Sequence, residues 1–283
     1  GKQLLIDSEV ANKLGLRDDV WLTYRAGDQP NNAFSLNVLH PGEIAATAGT
    51  SGVVYAVTDQ NVYDSKSRIN TFLHVNDSRQ QPRNGILICV NGTGILYRWI
   101  KQVLTSDSGK LDYKQMNERA NSAPAGSDGI RTFPFGNGAE RILENRLVNG
   151  HIMNLDFNRH GTAHLLRSAM EGIVFALNLG FEILKSNQVP YDTIRAGKAN
   201  LFLSPLFRSI FADVSGCKLE IFDTDGAIGA ARGAALGAGF YESGEAAFQS
   251  LNKLETVEPN PDSARRYRQI YQDWADQLQK IIQ

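Results

Sequence analysis

Residues 40–57 read HPGEIAATAGTSGVVYAV. Two short β-prone runs, EIAATAG and SGVVYAV, are separated by the tight turn Gly49-Thr50-Ser51-Gly52, which predicts a hairpin-like strand, turn, strand unit. Upstream, Val20 to Tyr24 is a strand candidate that runs into the glycine-containing turn of RAGDQPNNAF (25–34), where Pro30 suits a first helical residue. Before it, Ser8 is expected to cap a short helix, EVANKLGL, that closes at Gly15. Downstream, Ile69 to Val75 and Gly85 to Val90 are further strand candidates, and GILYRWIKQVL (94–104) predicts a helix with Ile95, Trp99, Ile100 and Val103 on one face.

The second half turns helical. Asp107 to Ser127 is polar and predicts a helix with flanking loops, and FPFGNGAERI (133–142) reads as a Gly/Pro-rich connector with no regular element. In TAHLLRSAMEGIVFALNLGFEILK (162–185), Leu165, Leu166, Ala169, Ile173, Ala176, Leu177, Gly180, Phe181 and Leu184 recur at helical spacing. A strand around Thr193 to Ala196, a helix over Pro205 to Ser215 and a strand over Lys218 to Phe222 follow. The small residues of GAIGAARGAALGAGF (226–240) suit a tightly packed helix, because alanine favours helix and glycine permits close approach. Asn260 and Pro261 open a terminal helix with Tyr267, Ile270, Trp274, Leu278 and Ile281 on one side. Alternating β-rich blocks and long helices argue an α/β fold with helices packed on a mixed sheet.

With 283 residues, 42% hydrophobic and 21% charged, the chain is large enough for one sizeable core or two modest ones. Its 29 basic and 30 acidic residues give a net charge of −1, so no basic surplus points to nucleic acid and no polybasic run points to an anionic membrane. Cys89 and Cys217 stand alone without metal-ligand spacing, as expected of buried thiols in a reducing compartment. No apolar run approaches the roughly 20 residues that span a bilayer, and no signal-peptide pattern opens the chain. A soluble, cytoplasmic protein is the expectation. The chain opens at Gly1 and runs straight into KQLLIDSEVANKLGL, so a portion upstream is expected.

Four sets of residues are candidates for chemistry. At Gly49-Thr50-Ser51-Gly52 the glycines admit a ligand close to the backbone, and amide and hydroxyl groups can bond phosphate oxygens. A Walker A loop is excluded, because a strand follows and no lysine is present. The same four residues are also ordinary hairpin-turn residues. Asp28, between Gly27 and the following helix, is placed for helix N–H groups to favour its ionised form, and an exposed carboxylate there can accept a hydroxyl proton; equally, it can simply cap the helix. His160 and His164 share a helical face but have no third ligand, so they read as capping and packing groups rather than as a zinc site. Asp223 and Asp225 lie in DTDG, which reads as a turn.

Order and spacing tie these segments together. RAGDQPNNAF, HPGEIAATAGTSGVVYAV, NGTGILYRWIK, FPFGNGAERI, HGTAHLLRSAMEGIVFAL, SPLFRSIFADVSG and GAARGAALGAG, in that order, resemble the second half of the FGGY carbohydrate kinases across essentially the whole chain. The resemblance implies an actin-like ATPase (ribonuclease H-like) domain, with two related domains closing over a cleft. It assigns Asp28 as the general base, Gly49, Thr50, Ser51 and Gly52 as the second phosphate-binding turn, and Gly94 and Arg98 as nucleotide-lining residues. Gly197 falls where the family's adenosine motif lies, with Asn200 as its neighbour, although Ala196 replaces a glycine and Phe207 the usual tryptophan. The pair Asp28-Gln29, expected at the substrate, resembles glycerol kinases, whereas TSGVVYAV and GNGAER are similar to xylulokinases.

The resemblance therefore implies ATP and Mg²⁺ as cofactors and D-xylulose as the acceptor, with no metal held by the chain's own residues. On this reading residues 1–40 are the tail of an N-terminal domain, carrying the base, and 41–283 the C-terminal nucleotide-binding domain. The partner is that N-terminal domain of the same polypeptide, whose Asp-x-Gly-Thr/Ser loop and sugar pocket are not in this sequence, and a homodimer is left open. The alternatives are a kinase for glycerol or another polyol or ketose, and a non-catalytic actin-like nucleotide-binding module.

Overall fold

The computed structural model describes residues 4–105 and 111–283. In chain order the elements are β1 (Leu4–Leu5), α1 (Ser8–Leu14), β2 (Trp21–Leu22), α2 (Asp28–Ser35), β3 (Glu43–Ala48), β4 (Gly52–Thr58), β5 (Asn70–Leu73), β6 (Asn84–Val90), α3 (Gly94–Thr105) and α4 (Tyr113–Ser122). They continue with β7 (Arg131–Pro134), β8 (Gly150–Met153), α5 (Thr162–Ser186), β9 (Thr193–Gly197), α6 (Pro205–Ser215), β10 (Lys218–Phe222), α7 (Gly226–Gly237), α8 (Gly244–Phe248), β11 (Lys253–Val257) and α9 (Pro261–Ile282).

Seven strands form the central sheet in the order β11-β10-β9-β3-β4-β6-β5. The predicted hairpin is its centre: β3 and β4 pair antiparallel from Ile44 opposite Ala56 to Ala48 opposite Gly52. Strands β6 and β5 extend the antiparallel half, while β9 and β10 run parallel to β3 and β11 closes the far edge antiparallel. Because side chains alternate across a strand, β3 sends Ile44, Ala46 and Ala48 to one face and Ala45 to the other. The first face meets α5, α6 and α9 in the larger core; the second meets α2, with Ala33, Leu36 and Val38 against Val53, Tyr55 and Val57.

Several local expectations need correction. Asp7, not Ser8, caps α1, because Asp7 stays extended and its carboxylate accepts from the Glu9 and Val10 amides. Helix α2 starts at Asp28, so Pro30 is its third residue, where the missing N–H would have had no helical partner in any case. The strand expected over Val20 to Tyr24 shrinks to Trp21–Leu22, which pairs only with Leu4–Leu5. On α3 the buried residues are Tyr97 and Ile100, while Trp99 and Val103 are half exposed, since this helix touches the core along a narrow stripe. FPFGNGAERI is not irregular throughout: Phe133 and Pro134 end β7, and Glu140–Leu143 form a 3₁₀ turn. The start of the helix expected from Asp107 lies outside the described residues, and its described part is Tyr113–Ser122. Elements β8, α8 and β11 had no sequence expectation.

Candidate functional site

The turn between β3 and β4 sits at the end of the sheet, and α3 begins against it. Thr93 donates its hydroxyl to the Gly49 carbonyl at 2.7 Å, the Gly94 amide donates to the same carbonyl at 2.7 Å, and the Ile95 amide donates to the Thr50 carbonyl at 3.3 Å. These bonds turn the carbonyls of the turn toward the helix, leaving the Thr50 and Ser51 amides without a partner among the described residues. The approach is possible only because residue 94 is glycine: a Cβ there would lie 2.5 Å from the Gly49 oxygen. Gly52 is equally constrained, its Cβ position lying 2.5 Å from the Thr93 methyl, so it supports the turn rather than lining a cavity.

A cavity of about 320 Å³ opens beside this junction. Gly49, Thr50, Gly94, Arg98 and Asn200 line it, so five residues expected at a nucleotide converge from three separate segments. Arg98 is exposed and forms no salt bridge among the described residues. Gly197 ends β9 and is not part of the lining. Sequence reading missed Tyr97, Tyr113 and Asn117, which form the aromatic end of the cavity. The Tyr97 hydroxyl donates to Asn117 at 3.2 Å, the two tyrosine rings stack with centroids 6.2 Å apart, and the Lys101 ammonium lies 4.2 Å above the Tyr113 ring. Burial pushes the Tyr97 phenol well above its ordinary pKa, so it stays a neutral donor. No pattern pointed to these residues, because Tyr97 sits off the face that helical spacing favoured and Tyr113 lies in a segment read only as polar. A larger cavity of about 700 Å³ flanks the other side of α3, between Trp99, Phe133 and His151, and shares only Ile95 and Arg98 with the first.

Asp28 stands exposed at the first turn of α2, whose N-terminal residue Gly27 contributes no side-chain cap. Its carboxylate accepts from the Gln29 amide at 2.8 Å and from Gln29 Nε2 at 3.3 Å. The other amide atom of Gln29, Oε1, is buried without a partner. Asp28 lies on the same side of the sheet as Cys89, whose thiol is pushed up to about 11 by burial and by the negative charges of Glu140 and, more weakly, Asp28. Ser51 donates to Asn91, so the turn presents Thr50 to the cavity and turns Ser51 away from it.

The histidines and the aspartate pair have local duties. His164 Nδ1 accepts the Gly161 amide at the start of α5 and its Nε2 faces Asp128, while His160 Nδ1 accepts the Asp156 amide. Asp225 caps α7 by accepting the Ile228 amide. Cys89 and Cys217 are free thiols, half-buried rather than fully enclosed.

Residues 44–241 match the FGGY family of carbohydrate kinases, C-terminal domain. A xylulose kinase of Haemophilus influenzae is 25% identical over 286 residues, covering 98% of this chain and 55% of the relative. A gluconokinase of Bacillus subtilis is 26% identical over 272 residues, covering 93% of this chain and 52% of the relative. The chain thus spans about half the length of the curated relatives it matches. Among solved structures, a ligand-bound xylulose kinase from Lactobacillus acidophilus superposes with a TM-score of 0.84 at 21% identity, over 97% of this chain and 55% of that one. At that identity the likeness establishes the fold, a mixed sheet with flanking helices of the actin-like ATPase type.

Proposed function

This chain belongs to the FGGY family of carbohydrate kinases, and from that premise we propose that it is the nucleotide-binding portion of an ATP-dependent sugar kinase that converts D-xylulose to D-xylulose 5-phosphate. The observation that carries the reading is the junction of the 49–52 turn with α3. Free amides at Thr50 and Ser51, the Thr50 hydroxyl and the Arg98 guanidinium offer donors to phosphate oxygens, and the stacked Tyr97 and Tyr113 rings offer an apolar, aromatic end for a planar base.

In this reading Gly49, Thr50, Gly94 and Arg98 line the nucleotide with Asn200 on the adenosine side, Ser51 and Gly52 complete the turn, and Gly197 supports the Asn200 segment from the end of β9. Asp28 accepts the proton of the attacking sugar hydroxyl as the oxygen attacks the γ-phosphorus, and the bond to the β-phosphate oxygen of ADP breaks. Gln29, whose amide and side chain bond the Asp28 carboxylate, is the proposed substrate contact beside it. The donor set fits MgATP, whose Mg²⁺, when bound, would offset the phosphate charge, and the half-buried Ser51 hydroxyl is an oxygen of the turn that would face it. The xylulose-named relatives support D-xylulose, and the gluconokinases at equal identity make gluconate the first competitor to assay.

Residues 1–40 are proposed as the tail of a preceding domain and 41–283 as the nucleotide-binding domain. Two observations support the division: the family match begins at residue 44, and Leu4, Leu5, Leu14, Leu16, Trp21 and Leu22 all stand exposed, an apolar surface that suits a covering domain. A cytoplasmic location accords with the absence, among the described residues, of any helix long and apolar enough to cross a membrane.

Amide NMR of the chain titrated with a non-hydrolysable ATP analogue should move residues 49–52, 94–98 and 200–204. Shifts confined to 226–240 would remove the assignment. Gly94→Ala drives a methyl into the Gly49 carbonyl and should weaken binding about tenfold or more. Gly161→Ala, where a Cβ meets nothing within 4 Å, should leave it unchanged. In the full-length protein, turnover with gluconate but not D-xylulose would move the acceptor, and nucleotide binding without turnover of any sugar would favour the non-catalytic module.

A further inference from the structure

Asn91, the residue after β6, joins two pieces of the site that the sequence holds far apart. Its Oδ1 accepts the Ser51 hydroxyl at 3.1 Å, and its Nδ2 donates to Glu140 Oε1 at 2.7 Å. The direction of this chain of bonds is forced. An ionised carboxylate only accepts, so the Asn91 amide nitrogen must face Glu140 and its carbonyl oxygen must face Ser51. Ser51 then spends its single proton on Asn91 and presents only lone pairs to its surroundings. Thr50 differs: its hydroxyl has no partner among the described residues and keeps its proton free.

Glu140 is held for this contact in an unfavourable backbone conformation. Its φ is +49°, a left-handed value that a non-glycine residue adopts at a cost and that persists where the surroundings enforce it. Ala139 before it and Ile142 and Leu143 after it are buried, so the segment is fixed by its packing and aims the one exposed carboxylate at Asn91.

Phosphate oxygens require donors, whereas a magnesium ion or one of its water molecules requires an acceptor oxygen. Building on the nucleotide-binding reading above, we propose that Glu140 is a positioning residue of the phosphoryl-transfer site. Acting through Asn91, it commits the Ser51 hydroxyl as an acceptor toward the magnesium of the bound nucleotide, and leaves Thr50 as the hydroxyl that donates to phosphate. The two neighbouring hydroxyls of one turn thereby have opposite polarity, set at Ser51 by Glu140, 89 residues further along the chain.

Calorimetric titration of the chain with the imido analogue of ATP, in magnesium and in EDTA, tests this without measuring activity. Wild type should bind more tightly in magnesium, by about tenfold, and Glu140→Ala should reduce that ratio to within about twofold while leaving the EDTA affinity unchanged. Ser51→Ala and Asn91→Ala, the latter breaking the link without touching the 140–143 turn, should reproduce the loss. Thr50→Ala should weaken binding in both buffers alike. Glu140→Gln still offers Asn91 an acceptor and should restore most of the ratio. Full magnesium dependence in Glu140→Ala or in Asn91→Ala overturns the proposal, and so does a Glu140→Gln that behaves like Glu140→Ala, because it would place the Glu140 charge on the metal directly. A wild-type chain that binds no nucleotide in either buffer overturns the nucleotide reading itself, and this inference with it.

Discussion

The two faces of the central sheet are built differently. Under α5 the core is thick and internally satisfied: Glu171 accepts from the Gly126 amide, the Ser127 hydroxyl, Arg167 Nε and the Tyr267 hydroxyl, all at 2.8–3.0 Å, so a buried carboxylate ties α5 to α9 and to the 123–127 loop. Under α2 the layer is thin. An eight-residue helix without a side-chain cap rests on α7, held by Asn31 Nδ2 to the Gly226 carbonyl at 2.7 Å and Arg232 Nη1 to the Ser35 carbonyl at 3.2 Å. The thick face fixes the strands and α3, and hence the turn, whereas the thin face carries the exposed Asp28. The two sides of one sheet thus differ in how firmly their helices are held.

The sharpest way to break this comparison is to change the thin face alone. Asp28→Asn in the full-length kinase should lower kcat by about 10²-fold or more, the usual worth of a general base, while nucleotide affinity and melting temperature stay near wild type. Asparagine caps a helix as well as aspartate does, so near-normal kcat would make Asp28 structural. Steady-state kinetics beside a nucleotide titration decides it.

On the thick face the expected effect is on stability. Glu171→Ala leaves the Arg167 guanidinium buried without its carboxylate, a loss of about 3–5 kcal/mol. For a domain of this size that lowers Tm by roughly 10 °C. Thermal unfolding checks it, and an unchanged Tm would mean that the two faces do not differ as described.

A smaller, pH-dependent effect separates the faces further. His74 is buried on the α2 side with both ring nitrogens used, Nδ1 accepting the Tyr55 hydroxyl at 2.8 Å and Nε2 donating to the Val38 carbonyl at 3.0 Å. Burial, reinforced by the positive charge of Arg83, pulls its pKa down to about 4. The unfolded chain therefore binds this proton more readily, so stability is full above about pH 6.5 and falls as the pH drops from there toward 4, by at most about 3 kcal/mol. His74→Phe should flatten that part of the Tm-against-pH curve, and a curve unchanged by the substitution would remove His74 as its cause.

Much of the fold was legible because it rests on local chemistry. The 43–58 hairpin, α5, α6, α7 and α9 all lie where periodicity and composition put them, Asn260 caps as its residue type suggests, and the glycines of the 49–52 turn mark its position. The resemblance of seven ordered segments likewise fixed the family. Less was legible where one residue's role depends on a neighbour distant in the chain. Helical spacing put Ile95, Trp99, Ile100 and Val103 on the inner face of α3, and packing against the core buried Tyr97 and Ile100 instead. The pairing of β8 with β7, and of β11 with β10, required strands that have too little alternation of their own to announce themselves.

The same division holds at the site. By itself the sequence determined the residue types that carry the candidate chemistry: a carboxylate at a helix start and a glycine-flanked pair of hydroxyls in a turn. The tertiary structure alone decided which of those hydroxyls has a free proton, which aromatic rings close the cavity and that Glu140 reaches Asn91, 49 residues earlier. A sequence records the propensities of short segments, whereas the direction of a hydrogen bond is set by whichever acceptor the completed fold brings within 3 Å.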